Sequence, residues 1–401
     1  MNQRISARIS AVSPSLTLAI TAKAKAMKAA GEDVVSFGVG EPDFPTPAHI
    51  VDAAKRALDN GQTKYTPSSG LPALKQAICK KLYEENGLEY KPSQIIVSNG
   101  AKHSVFNVCY AILNEGDEAI IPAPYWLTYP EAVKLCGGVP VAVEGKSENG
   151  FKITAEQLEN AVTPKTKLFI FNSPCNPTGA VYSKEEIESL AAVCVKHNIF
   201  VLADEIYEKL LYDGAEHFSF AAVSKQAKDL TVTVNGVSKT YAMTGFRVGY
   251  LAAPDDVAAA IDSFQSHATS NACTISQYAA IEALSSPEEE VKKMVAIYAR
   301  RREKLLALIR NVRGAECVTP EGAFYAMMRV SALYGKAWNG KTINGSVDFA
   351  AALLEEEKVA VIPGECFGAD GYVRLSYSLS EEDIQKGMER IAAFFAKVLR
   401  A

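Results

Sequence analysis

The chain has 401 residues, 48% hydrophobic and 22% charged, with 42 Lys and Arg against 46 Asp and Glu for a formal net charge of -4. That is an ordinary globular composition with room for a large core and a satellite domain, without a basic field for nucleic acid or an apolar run near the ~20 residues of a membrane helix. The eight cysteines (Cys79, Cys109, Cys136, Cys175, Cys194, Cys273, Cys317 and Cys366) lack paired spacing and read as reduced core residues, and the five histidines never reach a two-ligand helical spacing, so no metal is expected.

In chain order, the first predicted element is an alanine-rich helix closed by Gly31. Seven apolar runs follow, at Ile95 to Val97, Ala119 to Ile121, Val139 to Val143, Leu168 to Phe171, Phe200 to Ala203, Thr231 to Val234 and Val248 to Ala252. They alternate for the most part with longer amphipathic stretches, the rhythm of an α/β fold with a mainly parallel sheet covered on both faces. Gly100-Ala101-Lys102 follows the first run and precedes a helical pattern, so backbone N–H groups at a positive helix end can face an anion there. The run to Phe171 leads into the turn-rich Asn172-Ser-Pro-Cys-Asn176-Pro177-Thr178-Gly179. The run to Ala203 ends in Asp204-Glu205-Ile206-Tyr207, which puts a carboxylate where open α/β sheets place ligand groups.

From Gly236 to Gly249, Lys239 sits among small residues with Ser238 before it and Arg247 eight positions after it. A lysine amine becomes a carbonyl catalyst when desolvation or a neighbouring cation lowers its pKa, and the planar fork of an arginine suits a phosphate. Further on, Ser286-Pro287-Glu-Glu289 marks a helix start, with Ser286 as cap and Glu289 completing a capping box. That helix is expected to run through Arg300-Arg301-Arg302 to about Asn311.

Together these segments resemble the fold-type I pyridoxal-phosphate enzymes, and in particular the class I aminotransferases. Within them the likeness is to the bacterial aspartate aminotransferases of the prokaryotic subgroup. It is carried over essentially the whole chain by Gly38-Val-Gly40-Glu-Pro-Asp-Phe44, Lys64-Tyr65-Thr-Pro, Pro124-Tyr-Trp126, Asn176-Pro-Thr-Gly179, Asp204-Glu-Ile-Tyr207, the lysine segment and Val373-Arg374-Leu-Ser-Tyr377. The resemblance implies a large domain with a mainly parallel seven-stranded sheet between helices plus a smaller α+β domain. The division expected is an N-terminal arm and part of the small domain at 1–45, the large cofactor domain at 46–299 and the small domain at 300–401.

The same resemblance implies pyridoxal 5'-phosphate as cofactor and a homodimer with shared active sites. Lys239 would carry the Schiff base and move the Cα proton. Asp204 would hold the pyridine nitrogen, Asn176 and Tyr207 the ring hydroxyl oxygen, and Trp126 the ring face. Gly100, Ala101, Lys102, Ser238 and Arg247 would hold the phosphate side, with Tyr65 reaching in from a second subunit. Arg374, the Gly40 N–H and Asn176 would bind the α-carboxylate. Lys102, Ser15 and Thr17 occupy the positions that read a distal carboxylate, which implies transfer of the amino group of L-aspartate to 2-oxoglutarate. Ser13 stands where relatives that also use prephenate carry a basic residue.

The stretch from Met1 to Gly31 has no acidic residue and imitates a transit peptide. The likeness to the family already begins near Ile9, leaving too little chain for a removable presequence, and a cytoplasmic protein is expected. Three alternatives stand beside the aspartate reading: a broad aminotransferase for aromatic or neutral amino acids, a pyridoxal-phosphate C–S lyase, and a non-enzymatic cofactor-binding sensing domain, for whose DNA-binding segment the N-terminal arm is too short.

Overall fold

Strands that are apolar on both sides need cover on both faces. In the computed structural model, which describes residues 4–10, 12 and 16–400, all seven apolar runs enter one sheet. Its strands are β1 (Ile95–Ser98), β2 (Glu118–Ala123), β3 (Val139–Glu144), β4 (Thr166–Asn172), β5 (Phe200–Asp204), β6 (Thr231–Gly236) and β7 (Gly249–Ala252), in the order β1-β7-β6-β5-β4-β2-β3. Only β7 runs against its neighbours; the other pairs are parallel. Alternate residues serve different cores. Ile95 and Val97 pack with Ile50, Leu74 and Ile78, whereas Ile96 turns to Val105, Val108 and Ile121.

The registers align the strand ends. Asn172 lies beside Asp204, Asp204 beside Val234, and Gly236 beside Gly249. Because β1, β2, β4, β5 and β6 share a direction, the residues that follow them emerge at one edge of the sheet, where ligands of open α/β sheets sit. The reversed β7 begins at that same edge, which brings Arg247 to it from the opposite direction.

A second, antiparallel sheet joins Ile362–Pro363, Tyr372–Ser376, Tyr325–Arg329 and Glu316–Cys317 in that order. The helices Ser346–Glu357 and Glu381–Arg400 pack beside it, and Phe324, Phe349, Leu353, Val373, Leu375, Ile391 and Phe394 share one buried cluster. The long helix spans Glu289–Arg310. Its three arginines diverge. Arg301 grips Asp43 with two bonds of 2.8 Å, Arg302 reaches Asp213 and the Pro320 carbonyl, and Arg300 meets Glu381 at the surface.

Two expectations are corrected. Ser286 does not cap the long helix: its hydroxyl donates to Glu282 of the preceding helix at 3.1 Å, and the long helix starts after Glu288 without a side-chain cap. The acidic first turn, Glu289 and Glu290, complements the positive helix end instead. The eight cysteines are all unpaired, with Cys109 and Cys194 buried, but Cys273 is exposed just ahead of the helix Thr274–Ser285 and is no core residue. Among the described residues no helix is long and apolar enough to cross a membrane.

Candidate active site

The aligned strand ends open onto a cleft of about 590 Å³ whose far wall comes from the segment 38–41 and the antiparallel sheet. Twelve of the fifteen residues singled out in the sequence are accounted for here. Gly40, Ala101, Lys102, Trp126, Asn176, Asp204, Tyr207, Ser238, Lys239, Arg247 and Arg374 line it, and Gly100 lies directly behind Arg247. The other three do not join them. Tyr65 is not among the lining residues and stands 91% exposed on the single chain. Ser15 and the side chain of Thr17, like Ser13, lie outside the described residues.

Lys239 leaves β6 through a tight turn, and its Nζ donates to the Gly40 carbonyl at 2.6 Å. Burial at the cleft floor, aided by the Arg374 and Arg247 charges, brings its pKa down to about 8, against the opposing pull of Glu41 and Asp204. Asp204 ends β5 in full burial, which pushes its carboxyl up to about 6. Two donors hold the ionised form against that burial: the Tyr129 hydroxyl at 2.8 Å and the Ile206 N–H at 3.2 Å. Asn172 donates to the Asp204 carbonyl at 2.8 Å and accepts from the Asn176 N–H at 3.0 Å, tying the two strand-exit loops together.

The anion end is built by close backbone approach. A Cβ at Gly100 would lie 2.3 Å from Arg247 Nη2, and one at Gly249 would lie 2.2 Å from the Ala101 nitrogen. Glycine at both places lets the guanidinium and β7 close against the start of the helix Ala101–Ile112. Ser238 lines the same recess. A fork, a helix N-terminus and a hydroxyl suit a phosphate; a buried carboxylate suits a protonated ring nitrogen; an amine of lowered pKa suits an aldehyde. The donor set therefore fits pyridoxal phosphate.

On the far wall, Arg374 is buried with Nη1 donating to Asn176 Oδ1 at 3.0 Å and Nη2 to the Gly38 carbonyl at 3.3 Å. Its Nε has no partner among the described residues, and its Cζ lies 4.4 Å from the Tyr325 ring centroid. Tyr207 and Tyr325 hydroxyls meet at 3.0 Å. Lys102 stands over the Trp126 ring at 5.0 Å, and burial, with Arg247 nearby, lowers its pKa.

Several lining residues carried no assignment from sequence. Tyr129 lies three residues beyond Trp126 and packs edge-on against it at 5.3 Å; that spacing was a usable signal. Asn172, Tyr325, Glu41 and Thr244 also line the cleft. Tyr325 reaches Arg374 only through the pairing of Met327 with Arg374, which no local pattern encodes.

Tyr129→Phe tests the carboxylate's support. Losing a hydrogen bond to a charged group should weaken pyridoxal phosphate binding about tenfold. The variant's Asp204 pKa would rise further, so the deficit should widen as pH falls from 8 to 6, as a fluorescence titration would read.

Behind Asp204, the histidine spacing concealed one cluster. Glu205, Glu208 and His217 bring potential ligand atoms within 4.8 Å. The Lys81 ammonium already pairs with Glu208, which Asn86 and Asn235 also serve at 2.8 Å each. Although burial works against it, Lys81 holds the Glu208 carboxyl down at about 2, so this carboxylate already has an internal cation as its partner.

The sequence pattern of aminotransferase class I and II matches residues 32–391. The chain is 52% identical over 395 residues to the aspartate aminotransferase of Bacillus sp. (strain YM-2), covering 98% of this chain and 100% of that protein. The solved aspartate aminotransferase from Rhizobium meliloti superposes with a TM-score of 0.95 at 42% identity over 98% of this chain and 99% of that one. The aspartate aminotransferase from Thermus thermophilus, solved with maleate, gives 0.92 at 45% identity over 97% of this chain and 99% of that one.

Proposed function

The chain belongs to the class I and II aminotransferases, and from that membership we propose that it transfers the amino group of L-aspartate to 2-oxoglutarate by ping-pong turnover. The observation that carries the dicarboxylate reading is a cation beyond those already committed. Arg247 suits the phosphate and Arg374 the α-carboxylate, while the exposed Lys102, its ammonium over Trp126 at the cleft wall, has no carboxylate partner among the described residues. A second substrate carboxylate supplies one. The names of the relatives support this, as does the Thermus relative solved with maleate, a four-carbon dicarboxylate.

Pyridoxal phosphate, when bound, supplies the electron sink. Arg247, Ser238 and the N–H groups at the helix start hold its phosphate, Asp204 keeps a proton on its ring nitrogen, and Asn176 and Tyr207 face its ring oxygen. Trp126 covers a ring face and excludes water. Arg374, with the Gly40 N–H and Asn176, orients the substrate so that its Cα hydrogen meets Lys239. Lys239 Nζ, free as an amine, takes that proton and holds it for return in the next step.

The exposed Tyr65 supports a homodimer in which each phosphate site is completed by the partner. The unpaired cysteines support a cytoplasmic protein, and the helix Glu289–Arg310 crosses the proposed domain boundary near residue 300. Initial rates with aspartate, phenylalanine and alanine, each with 2-oxoglutarate, test the assignment: aspartate should lead. Pyruvate released from cystathionine without an acceptor would instead identify a lyase. Lys102→Ala should cost aspartate about tenfold more than phenylalanine; an equal loss for both would overturn the dicarboxylate reading.

A further inference from the structure

Three separate pieces of the cleft hang on four consecutive residues. The Gly38 carbonyl accepts from Arg374, the Gly40 carbonyl accepts from Lys239, and the Glu41 carboxylate accepts from the Thr244 hydroxyl at 2.7 Å. Thr244 in turn offers its carbonyl to Arg247 Nη1 at 3.0 Å. Glu41 also pulls the Lys239 pKa upward, but neither it nor Thr244 has a part above in holding the phosphate.

Arg247 needs such support. Among the described residues no carboxylate pairs with it, and its guanidinium is aimed by two carbonyls, those of Thr244 and of Asn99 at 3.3 Å. Its backbone sits in the left-handed region at φ 56°, which a non-glycine residue holds only where its surroundings impose it. The Asn99 carbonyl belongs to a turn closed by Gly100 N–H to Ser98 and by Asn99 N–H to His103. The Thr244 carbonyl lies in a short turn next to Gly245, which is exposed and has no neighbour a Cβ would touch. Two side-chain bonds fasten that turn to the opposite wall: Thr46 donates to the Ala242 carbonyl at 2.6 Å, and Thr244, whose own carbonyl aims Arg247, donates to Glu41.

We infer that Glu41 and Thr244 are a coupled pair of positioning residues that set the arginine for the cofactor phosphate. The inference rests on the reading of Arg247 as the phosphate residue. It also makes a prediction of unusual sign. Glu41 carries the phosphate's own sign of charge, so acting through space alone its removal would tighten phosphate binding. Acting through Thr244, its removal loosens it.

The test compares dissociation constants of the full-length chain for pyridoxal phosphate and for pyridoxal, which lacks the phosphate. Thr244→Val and Glu41→Ala should each weaken pyridoxal phosphate five- to tenfold while changing pyridoxal less than twofold. The double variant should be no weaker than either single one, because both remove the same bond. Thr244→Ser and Glu41→Gln, which keep a hydroxyl donor and an oxygen acceptor, should stay within twofold of the parent and serve if Thr244→Val does not fold. Unchanged preference for the phosphate form, equal loss for both ligands, or losses that multiply in the double variant would overturn the inference. A parent chain with no preference for the phosphate form would instead overturn the role of Arg247 itself, and the pair's role with it.

Discussion

Replacing Lys239 with alanine should lower transamination by about 10⁴-fold or more, since it removes both the covalent anchor and the group that moves the Cα proton. The variant should still retain pyridoxal phosphate through Arg247, Ser238 and Asp204. In the parent the amine's lowered pKa has a second consequence. An ordinary lysine at 10.5 is almost entirely ammonium at neutral pH, whereas one held at about 8 is free amine in about a tenth of molecules at pH 7. Burial disfavours the charged form, so covalent capture of the cofactor by the apo chain should accelerate as pH rises from 7 and level off above pH 8 to 9. Stopped-flow absorbance would follow it; acceleration continuing to pH 10.5 would mean that Lys239 is not desolvated.

Arg374→Ala should reduce kcat/KM by about 10² to 10³, the cost of deleting one partner of a buried charged contact. The α-carboxylate is common to every amino acid, so aspartate, phenylalanine and alanine should lose by similar factors. That distinguishes it from Lys102→Ala, which should discriminate between them. Arg374→Lys should recover little, because an ammonium cannot hold the Asn176 oxygen, the Gly38 carbonyl and a carboxylate together. Steady-state kinetics with the three substrates decide it. A loss confined to aspartate would move the α-carboxylate elsewhere and make Arg374 a side-chain reader.

The sheet was legible because most of its strands are short apolar runs bounded by turn residues, a pattern local to each run. Asp204 and Gly100 were legible for a related reason: they follow such runs closely, and the shared strand direction gathers strand exits at one edge. Lys239, Arg374 and Trp126 needed the family motifs, since alone the lysine and the arginine read as surface residues and the tryptophan as core packing. Partners set by register or by distant segments were not legible. The Tyr129 bond to Asp204 joins positions 75 apart, and the Lys81 pair with Glu208 joins positions 127 apart. The misplaced cap at Ser286 has a different origin. Two helices meet within three residues there, and the hydroxyl served the helix that ends instead of the one that begins.

The central claim is a covalent bond between one amine and the cofactor aldehyde. Borohydride reduction of the purified holoprotein, followed by proteolysis and mass spectrometry, tests it most directly. The reduced cofactor should be found on Lys239 within the peptide around Gly236 to Gly249, and the visible absorption should vanish on reduction. Attachment at another lysine such as Lys102, or no covalent adduct at all, would contradict the account.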